Sequence, residues 1–73
     1  MQIYGDTDGD SNVYGFEIYD DAISVWFHGS NKEYTWSYDR AGSDHVENMK
    51  ELAIQGNGLN SYIQRRVKFS YDR

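Results

Sequence analysis

The stretch Gly56-Asn57-Gly58-Leu59-Asn60-Ser61-Tyr62-Ile63 is a glycine-rich corner between two segments with helical spacing of apolar residues. Gly56 stands where a helix commonly ends in a left-handed residue. An apolar stripe lies on each side of the corner: Val46, Met49, Leu52 and Ala53 before it, and Leu59, Tyr62, Ile63 and Val67 after it. This spacing predicts two helices, with Ser43 or Asp44 capping the first.

Upstream of the helices, large apolar residues alternate with smaller or polar ones, which is the period of a half-buried strand. A two-residue turn at Asp20-Asp21 places Ile18, Phe16 and Tyr14 opposite Ile23, Val25 and Phe27, respectively. A loop at 29–32 then places Phe27, Val25 and Ile23 opposite Tyr34, Trp36 and Tyr38. This register brings all nine large residues to one face of a sheet, and a one-residue slip would reverse it.

A two-residue hairpin connection cannot cross a sheet, so both helices should cover the same face. The predicted fold is an α+β domain in two layers, with a three-stranded antiparallel meander followed by two helices packed on one face. Residues 1–11 are rich in Asp, Gly and Ser, and we expect a flexible acidic arm there, with a short strand at 2–4. Residues 12–73 form the single predicted domain.

The chain has 73 residues and no cysteine, which excludes disulfides and thiolate metal sites. Its core must come from bulky side chains, and seven Tyr, three Phe and two Trp supply them. No apolar run approaches the roughly 20 residues that cross a bilayer, and no basic-plus-apolar signal segment opens the chain. We therefore expect a soluble, cytoplasmic protein without a membrane partner.

The formal net charge of −5 hides an uneven distribution. Residues 1–31 contain six acids and no Lys or Arg, whereas residues 65–73 contain four basic residues and one acid. Net acidity disfavours nonspecific binding of polyanions, because that affinity comes from basic groups that release counterions. The basic end of the chain keeps local binding of a polyanion open.

Five short motifs occur in a fixed order: Ser11-Asn12-Val13, Ile23-x-Val25-x-Phe27, Gly29, Tyr34-Thr35-Trp36 and Gly58-Leu59-Asn60-x-x-Ile63. In this order and spacing, residues 11–71 resemble the KTSC domain, a short module at the C-terminus of some lysyl-tRNA synthetases that also occurs as a free-standing bacterial protein. Trp36 replaces a family tyrosine, and Gln64 stands where the family favours arginine. The resemblance implies a small binding module over 12–73, with RNA or a ribonucleoprotein as the suggested partner.

The last helix carries the basic residues that such a partner would contact. Arg65 and Lys68 share a face with Ser61, whereas Arg66 falls on the inner stripe. Either the helix ends by Arg65, or the Arg66 side chain extends outward to pair with a carboxylate. The candidate residues for binding nucleic acid or a protein partner are Arg65, Lys68, Arg66, Asn60, Ser61, Trp26 and Tyr19. The alternatives are a solvated helix end that complements the helix dipole and, for Asn60, a structural cap.

Trp26 and Tyr19 alternate with the core residues and are predicted to face away from the helices. Exposed aromatic rings on a sheet can stack nucleobases or bind a protein partner. The favoured alternative is local packing, because Trp26 lies opposite Gly15 in the predicted register. An aromatic ring over a cross-strand glycine protects the glycine backbone.

The N-terminal acids have the spacing of a calcium-binding loop, whose oxygen ligands would be Asp6, Asp8, Asp10, Asn12 and Glu17. Ser11 stands where the sharp turn of such a loop needs glycine, and Glu17 falls within a predicted strand. Only five residues precede the loop, which leaves no entering helix. A solvated acidic arm is the favoured interpretation, with a calcium site as the alternative.

Residues for catalysis are scarce. His28 and His45 are the only histidines and share no evident serine or carboxylate partner, and the glycine corner lacks the lysine of a phosphate-binding loop. His28 is expected to face Glu33 across the second hairpin, where an exposed pair contributes little. We expect a non-enzymatic protein with no catalytic residues and no cofactor. A second functional hypothesis is an acidic protein-interaction or inhibitor domain, in which the carboxylates of residues 6–21 bind a basic partner surface.

Overall fold

The computed structural model describes residues 1–7 and 12–72 and shows a small α+β domain. Four antiparallel strands form one sheet in the order β1-β2-β3-β4: Gln2–Ile3, Val13–Tyr19, Ala22–Phe27 and Glu33–Ser37. The helical elements follow as α1 Tyr38–Ala41, α2 Ser43–Gln55, α3 Leu59–Tyr62 and a π-helix at Ile63–Val67. The α+β class agrees with the prediction, whereas the three-stranded meander is corrected to four strands and a short helix α1 is added. Within the described residues, no helix has the length and apolar character to span a bilayer.

The first hairpin has the predicted register over most of its length. Ile18 pairs with Ile23 and Phe16 with Val25, so the tight turn was placed correctly. Near the start of β2, however, a register shift pairs Val13 with Phe27. The bulge adds one residue to β2 at Tyr14, so Val13, before it, takes the inward position opposite Phe27. The prediction that Tyr14 packs in the core is therefore wrong: Tyr14 is 42% exposed, and Val13 is buried in its place.

The second hairpin differs from the predicted register by two residues. Val25 lies opposite Tyr34, and Ile23 lies opposite Trp36, because the connecting loop is longer than predicted. A shift of two residues leaves the inward face unchanged, since side chains alternate with a period of two. Tyr38 then lies beyond the strand, in α1, and not opposite Ile23 as predicted.

The core lies between this inner sheet face and the helices. Trp36 is at its centre, only 1% exposed, and its indole N–H donates a hydrogen bond to the Val67 carbonyl at 2.8 Å. The remaining large buried side chains come from both layers: Tyr4, Val13, Phe16, Ile23, Val25, Val46, Met49, Leu59, Ile63 and Val67. The helices therefore cover one face of the sheet, as the two-layer prediction required.

The two ends of α2 are built differently. Its N-cap is Gly42, at φ +94°, and no side chain caps the helix there, so the predicted cap at Ser43 or Asp44 is wrong. Ser43 is already the first helical residue. The C-terminal prediction is confirmed: Gly56 is left-handed at φ +74°, and its N–H donates to the carbonyls of Leu52 and Ala53.

The N-terminal segment belongs to the fold through residue 7. β1 pairs with β2, with Ile3 opposite Gly15. The next residue, Tyr4, is buried in the core, and its hydroxyl accepts a hydrogen bond from the Leu59 N–H at 3.2 Å. That N–H opens α3, where the first N–H groups of a helix have no intrahelical acceptor. Tyr4, a residue of the predicted arm, thus provides the hydrogen-bond acceptor for the first N–H group of α3.

The same segment packs closely on the glycine corner. The Thr7 N–H and hydroxyl both donate to the Gly56 carbonyl, at 2.7 and 3.2 Å. A Cβ atom placed on Gly56 would lie 3.2 Å from the Gly5 Cα and 3.3 Å from the Asp6 nitrogen. Gly56 therefore meets two requirements at once, a positive φ and a close approach of two backbones.

The π-helix explains the position of Arg66. In a regular α-helix four residues turn through about 400°, so side chains at i and i+4 drift by about 40°. The wider π turn reduces this drift, and Leu59, Ile63 and Val67 all remain buried. Arg66 is exposed. The alternative that the helix ends by Arg65 is wrong, since the helical segment continues to Val67, and Arg66 lies outside the inner stripe because the helix changes its period at Ile63.

Replacement of Gly56 by alanine should lower the free energy of unfolding by about 2–4 kcal/mol, from left-handed strain plus the clash with Gly5. Gly29→Ala is the matched control: Gly29 has φ +78°, but nothing lies within 4 Å of its added Cβ. It should cost only the strain, about 1–2 kcal/mol. Urea denaturation measures both variants. Equal losses would show that the contact between the two segments contributes nothing.

A second prediction concerns the hydroxyl of Tyr4. Tyr4→Phe keeps the ring in the core but removes the acceptor of the buried Leu59 N–H, which should cost about 1–3 kcal/mol of unfolding free energy. Tyr19→Phe removes an exposed hydroxyl from β2 and should change the stability by less than about 0.5 kcal/mol. Thermal unfolding followed by circular dichroism compares them, and similar melting temperatures would contradict the role of Tyr4.

Candidate functional site

A cavity of about 410 Å³ opens at one end of the sheet, where β2 begins, β3 ends and β4 begins. The π-helix and the segment that follows it form the other side of the cavity. The volume falls in the range of about 300–1,000 Å³ that is usual for small-ligand sites.

Five aromatic side chains line this cavity: Phe27, Tyr34, Trp36, Phe69 and Tyr71. Four of these rings contact one another. Tyr34 meets Phe27 and Tyr71 edge to face, with ring centroids 5.6 and 4.9 Å apart, and Trp36 meets Tyr71 at 6.1 Å. Such edge-to-face contacts fix ring orientation. The aromatic wall, defined by Phe27, Tyr34, Trp36 and Tyr71, is therefore preformed.

Polar side chains line the rest of the cavity: Asn12, His28, Ser30, Asn60, Gln64 and Lys68. Among the described residues, no carboxylate lines it, although the chain carries a formal net charge of −5. The amides provide hydrogen-bond donors and acceptors, and Lys68 provides the positive charge. The cavity can therefore bind a flat group with polar edges and an attached anion.

Asn60, Gln64 and Lys68 lie four residues apart along the last helical segment, and all three reach the cavity. They follow Leu59, Ile63 and Val67 by one position each, and that preceding row is buried. The π-helix thus keeps both rows in line: one row packs in the core, and the next row faces the cavity. We call Asn60, Gln64 and Lys68 the polar row.

Two further lysine contacts place positive charge at the rim. The Lys32 ammonium lies 4.9 Å from the centroid of Tyr34 and 5.6 Å from that of Tyr71. The Lys68 ammonium lies 5.4 Å from the centroid of Phe69. Phe69 is 81% exposed, which is unusual for so large an apolar ring.

Only two of the seven predicted binding residues line the cavity. Asn60 and Lys68 lie together in the cavity. Ser61, Arg65 and Arg66 are exposed on the same helical segment but do not line the cavity. Asn60 also gives no side-chain cap to α3, whose N-cap is Gly58, so the alternative of a structural cap at the helix start is wrong.

Trp26 and Tyr19 lie away from this cavity, on the opposite face of the sheet. Trp26 pairs with Gly15, as predicted. A Cβ on Gly15 would lie 2.6 Å from the Met1 sulfur, so the Met1 side chain also covers this glycine. The local-packing interpretation of Trp26 gains support from this arrangement, while Tyr19 is largely exposed.

Of the predicted calcium ligands, Asp8 and Asp10 lie outside the described residues, as does Ser11. The Glu17 carboxylate forms an ion pair with the Met1 amino group at 2.8 Å. Within the described residues, no three acidic or histidine side chains are grouped closely enough to hold a metal ion.

The histidines have aromatic partners. His28 does not face Glu33, as the predicted loop implied, because Glu33 pairs with Trp26. The His28 ring instead packs edge to face on Tyr14, with centroids 5.3 Å apart. His45 Nδ1 lies 2.6 Å from the Tyr62 hydroxyl, which also accepts from the Asn48 amide at 3.2 Å.

Most of the cavity was not identified from the sequence. Phe27, Tyr34 and Trp36 were predicted only as core residues, and Phe69 and Tyr71 were not considered. One signal was available, the alternation Phe69-Ser70-Tyr71 directly after the basic residues. This alternation brings Phe69 and Tyr71 to the cavity only because the tail returns to the sheet, where the Asp72 N–H donates to the Thr35 carbonyl. The sequence alone does not show that return.

A separate polar cluster joins α1 to α2. The Tyr38 hydroxyl donates to Glu47 Oε2 at 2.5 Å, and the Lys50 ammonium contacts the same oxygen at 2.8 Å. The hydrogen bond from Lys50, followed by that from Tyr38, lowers the pKa of Glu47, and the hydrogen bond to Glu47 raises the pKa of Tyr38. Lys50 also donates to the Asp20 carbonyl at 3.0 Å, which ties the first turn to α2.

Comparison of the chain with protein-family models, with curated proteins and with solved structures finds no match.

The Glu47 cluster predicts a pH dependence of stability. Because the folded-state pKa of Glu47 lies below its ordinary value of 4.5, the unfolded chain binds more protons in acid. The stabilisation is present above pH 4.5 and is lost as the pH falls through the folded-state pKa. Glu47→Gln should therefore be less stable than the natural chain at neutral pH, with a difference that shrinks in acid. Glu51→Gln, exposed on the same helix, is the control; identical pH profiles for the two variants would contradict the assignment.

Proposed function

We propose that this chain is a small, non-enzymatic binding module of the KTSC type that binds single-stranded RNA at the cavity. The observation that carries the proposal is the composition of the cavity lining. Aromatic rings, side-chain amides and Lys68 line it without a described carboxylate, in a chain whose net charge is −5. Such a lining suits a ligand that combines flat bases with phosphates.

The aromatic wall supports this proposal through stacking. Proteins bind unpaired bases of single strands by stacking them on aromatic side chains, which contributes about 1–3 kcal/mol per base. The rings of Tyr34 and Tyr71 are held by their edge-to-face contact and by the tail that returns to β4. Little side-chain entropy remains to be lost when a base enters.

The distribution of charge supports it as well. Lys68 lines the cavity, and Lys32 lies over two of its rings. Arg65 and Arg66 belong to the helical segment that carries the polar row, and they remain candidates for contacts with neighbouring phosphates. Two of the seven basic residues thus line the cavity or lie over its rings, and two more belong to the helical segment that carries the polar row. This local concentration can attract an RNA strand that the whole molecule would repel.

A salt titration tests the proposal. A labelled single-stranded RNA should bind in fluorescence anisotropy at about 50 mM salt, with affinity that falls steeply as salt rises. Lys68→Gln should weaken binding and reduce the slope of log K against log salt by about 0.7, the loss of one phosphate contact. The control is Arg40→Gln, which changes the net charge equally but lies in α1. No binding at about 50 mM salt, or equal slopes for both variants, would refute the proposal.

A further inference from the structure

The cavity offers two different places for a base: the space against the aromatic wall and the exposed ring of Phe69. The aromatic wall and the amides of Asn60 and Gln64 line an open cavity of about 410 Å³, within the range for ligand sites. This volume can hold one small group, such as a base with its sugar. Phe69 also lines the cavity but is 81% exposed, so its ring can stack a group at the opening of the cavity.

Lys68 contributes to both the cavity lining and the surroundings of Phe69. Its side chain lines the cavity, and its ammonium lies 5.4 Å from the centroid of Phe69. The charge is therefore located at the mouth, between the interior and the exposed ring. In a strand whose two adjacent bases occupied the interior and Phe69, the linking phosphate would pass the same point.

The polar row provides recognition within the cavity. Asn60 and Gln64 are one helical turn apart and line the cavity together with the rings of the aromatic wall. A side-chain amide offers both a donor and an acceptor. Amides in this position can bond to the polar edge of a base while its flat face contacts a ring, which is how unpaired RNA bases are recognised.

From this arrangement we propose that the site binds a dinucleotide step: one base enters the cavity, the next base stacks on Phe69, and Lys68 binds the phosphate between them. Asn60 and Gln64 bond to the edge of the enclosed base. The inference rests on the proposed function, since it specifies how single-stranded RNA is held. It adds Phe69 and Gln64 to the binding residues.

The two tryptophans allow a direct test by nuclear magnetic resonance. The Trp36 indole N–H lies beside the cavity and bonds to Val67, whereas Trp26 is on the opposite face of the sheet. Nucleoside monophosphates should shift the Trp36 indole signal and leave that of Trp26 in place, with Trp26→Phe assigning the two signals. Ribose 5-phosphate, which lacks a base, should shift neither.

Variants separate the two base positions. Phe69→Ala should weaken a dinucleotide by about five- to a hundredfold and a mononucleotide much less, because mainly the stacking of the outer base is lost. Gln64→Ala should weaken both by about fivefold or more. Ile54→Ala removes a side chain of α2 that is 70% exposed and should change neither affinity.

The outcomes distinguish this inference from the proposed function. Salt-dependent RNA binding without a shift of the Trp36 signal would overturn the dinucleotide arrangement and leave the RNA-binding proposal standing. Equal binding of ribose 5-phosphate and nucleotides would overturn recognition of the enclosed base. Binding of mononucleotides without any affinity for RNA, or no binding of either, would overturn both.

Discussion

The fold depends on the contact between the N-terminal segment and the glycine corner that joins α2 to α3. Gly56 can turn the chain only because it adopts a positive φ, and its missing side chain lets Gly5 approach. Thr7 then donates to the Gly56 carbonyl, and Tyr4 accepts from the first N–H of α3. These bonds connect residues about fifty positions apart in the chain. They set the direction in which the last helix leaves the corner, and therefore where its polar row lies.

The π-helix determines which residues of the last helical segment face the cavity. An uninterrupted α-helix would carry Arg66 toward the core, where a charge is costly without a partner. The wider turn lets Val67 take the buried position and leaves Arg66 in solvent. It also aligns Asn60, Gln64 and Lys68 along one side. The packing of the core and the lining of the cavity are thus two results of the same local change in helical period.

The sequence predicted those structural features that depend on residues close together along the chain. The Asp20-Asp21 turn, the alternation in β2 and β3 and the glycine that ends α2 all follow from local rules. The register of β4 did not, since a shift of two residues preserves the hydrophobic pattern. The short strand predicted at 2–4 is present as β1, but its pairing with β2 was not predicted, because it lies in an Asp- and Gly-rich segment. The cavity draws on segments far apart in sequence, so of its polar row only Asn60 and Lys68 were predicted as binding residues.

The tail beyond the π-helix has a consequence for how these molecules behave at high concentration. Its Asp72 N–H pairs with the Thr35 carbonyl, and the Ser37 hydroxyl donates to the Asp72 carboxylate, so the tail runs along the outer border of β4. At the other border, β1 is only two residues long. Unpaired strand borders are templates for intermolecular β-pairing, and proteins often protect them with prolines. This chain has no proline. We expect the tail to hinder such pairing at the β4 border instead, at the same place where Tyr71 completes the aromatic wall.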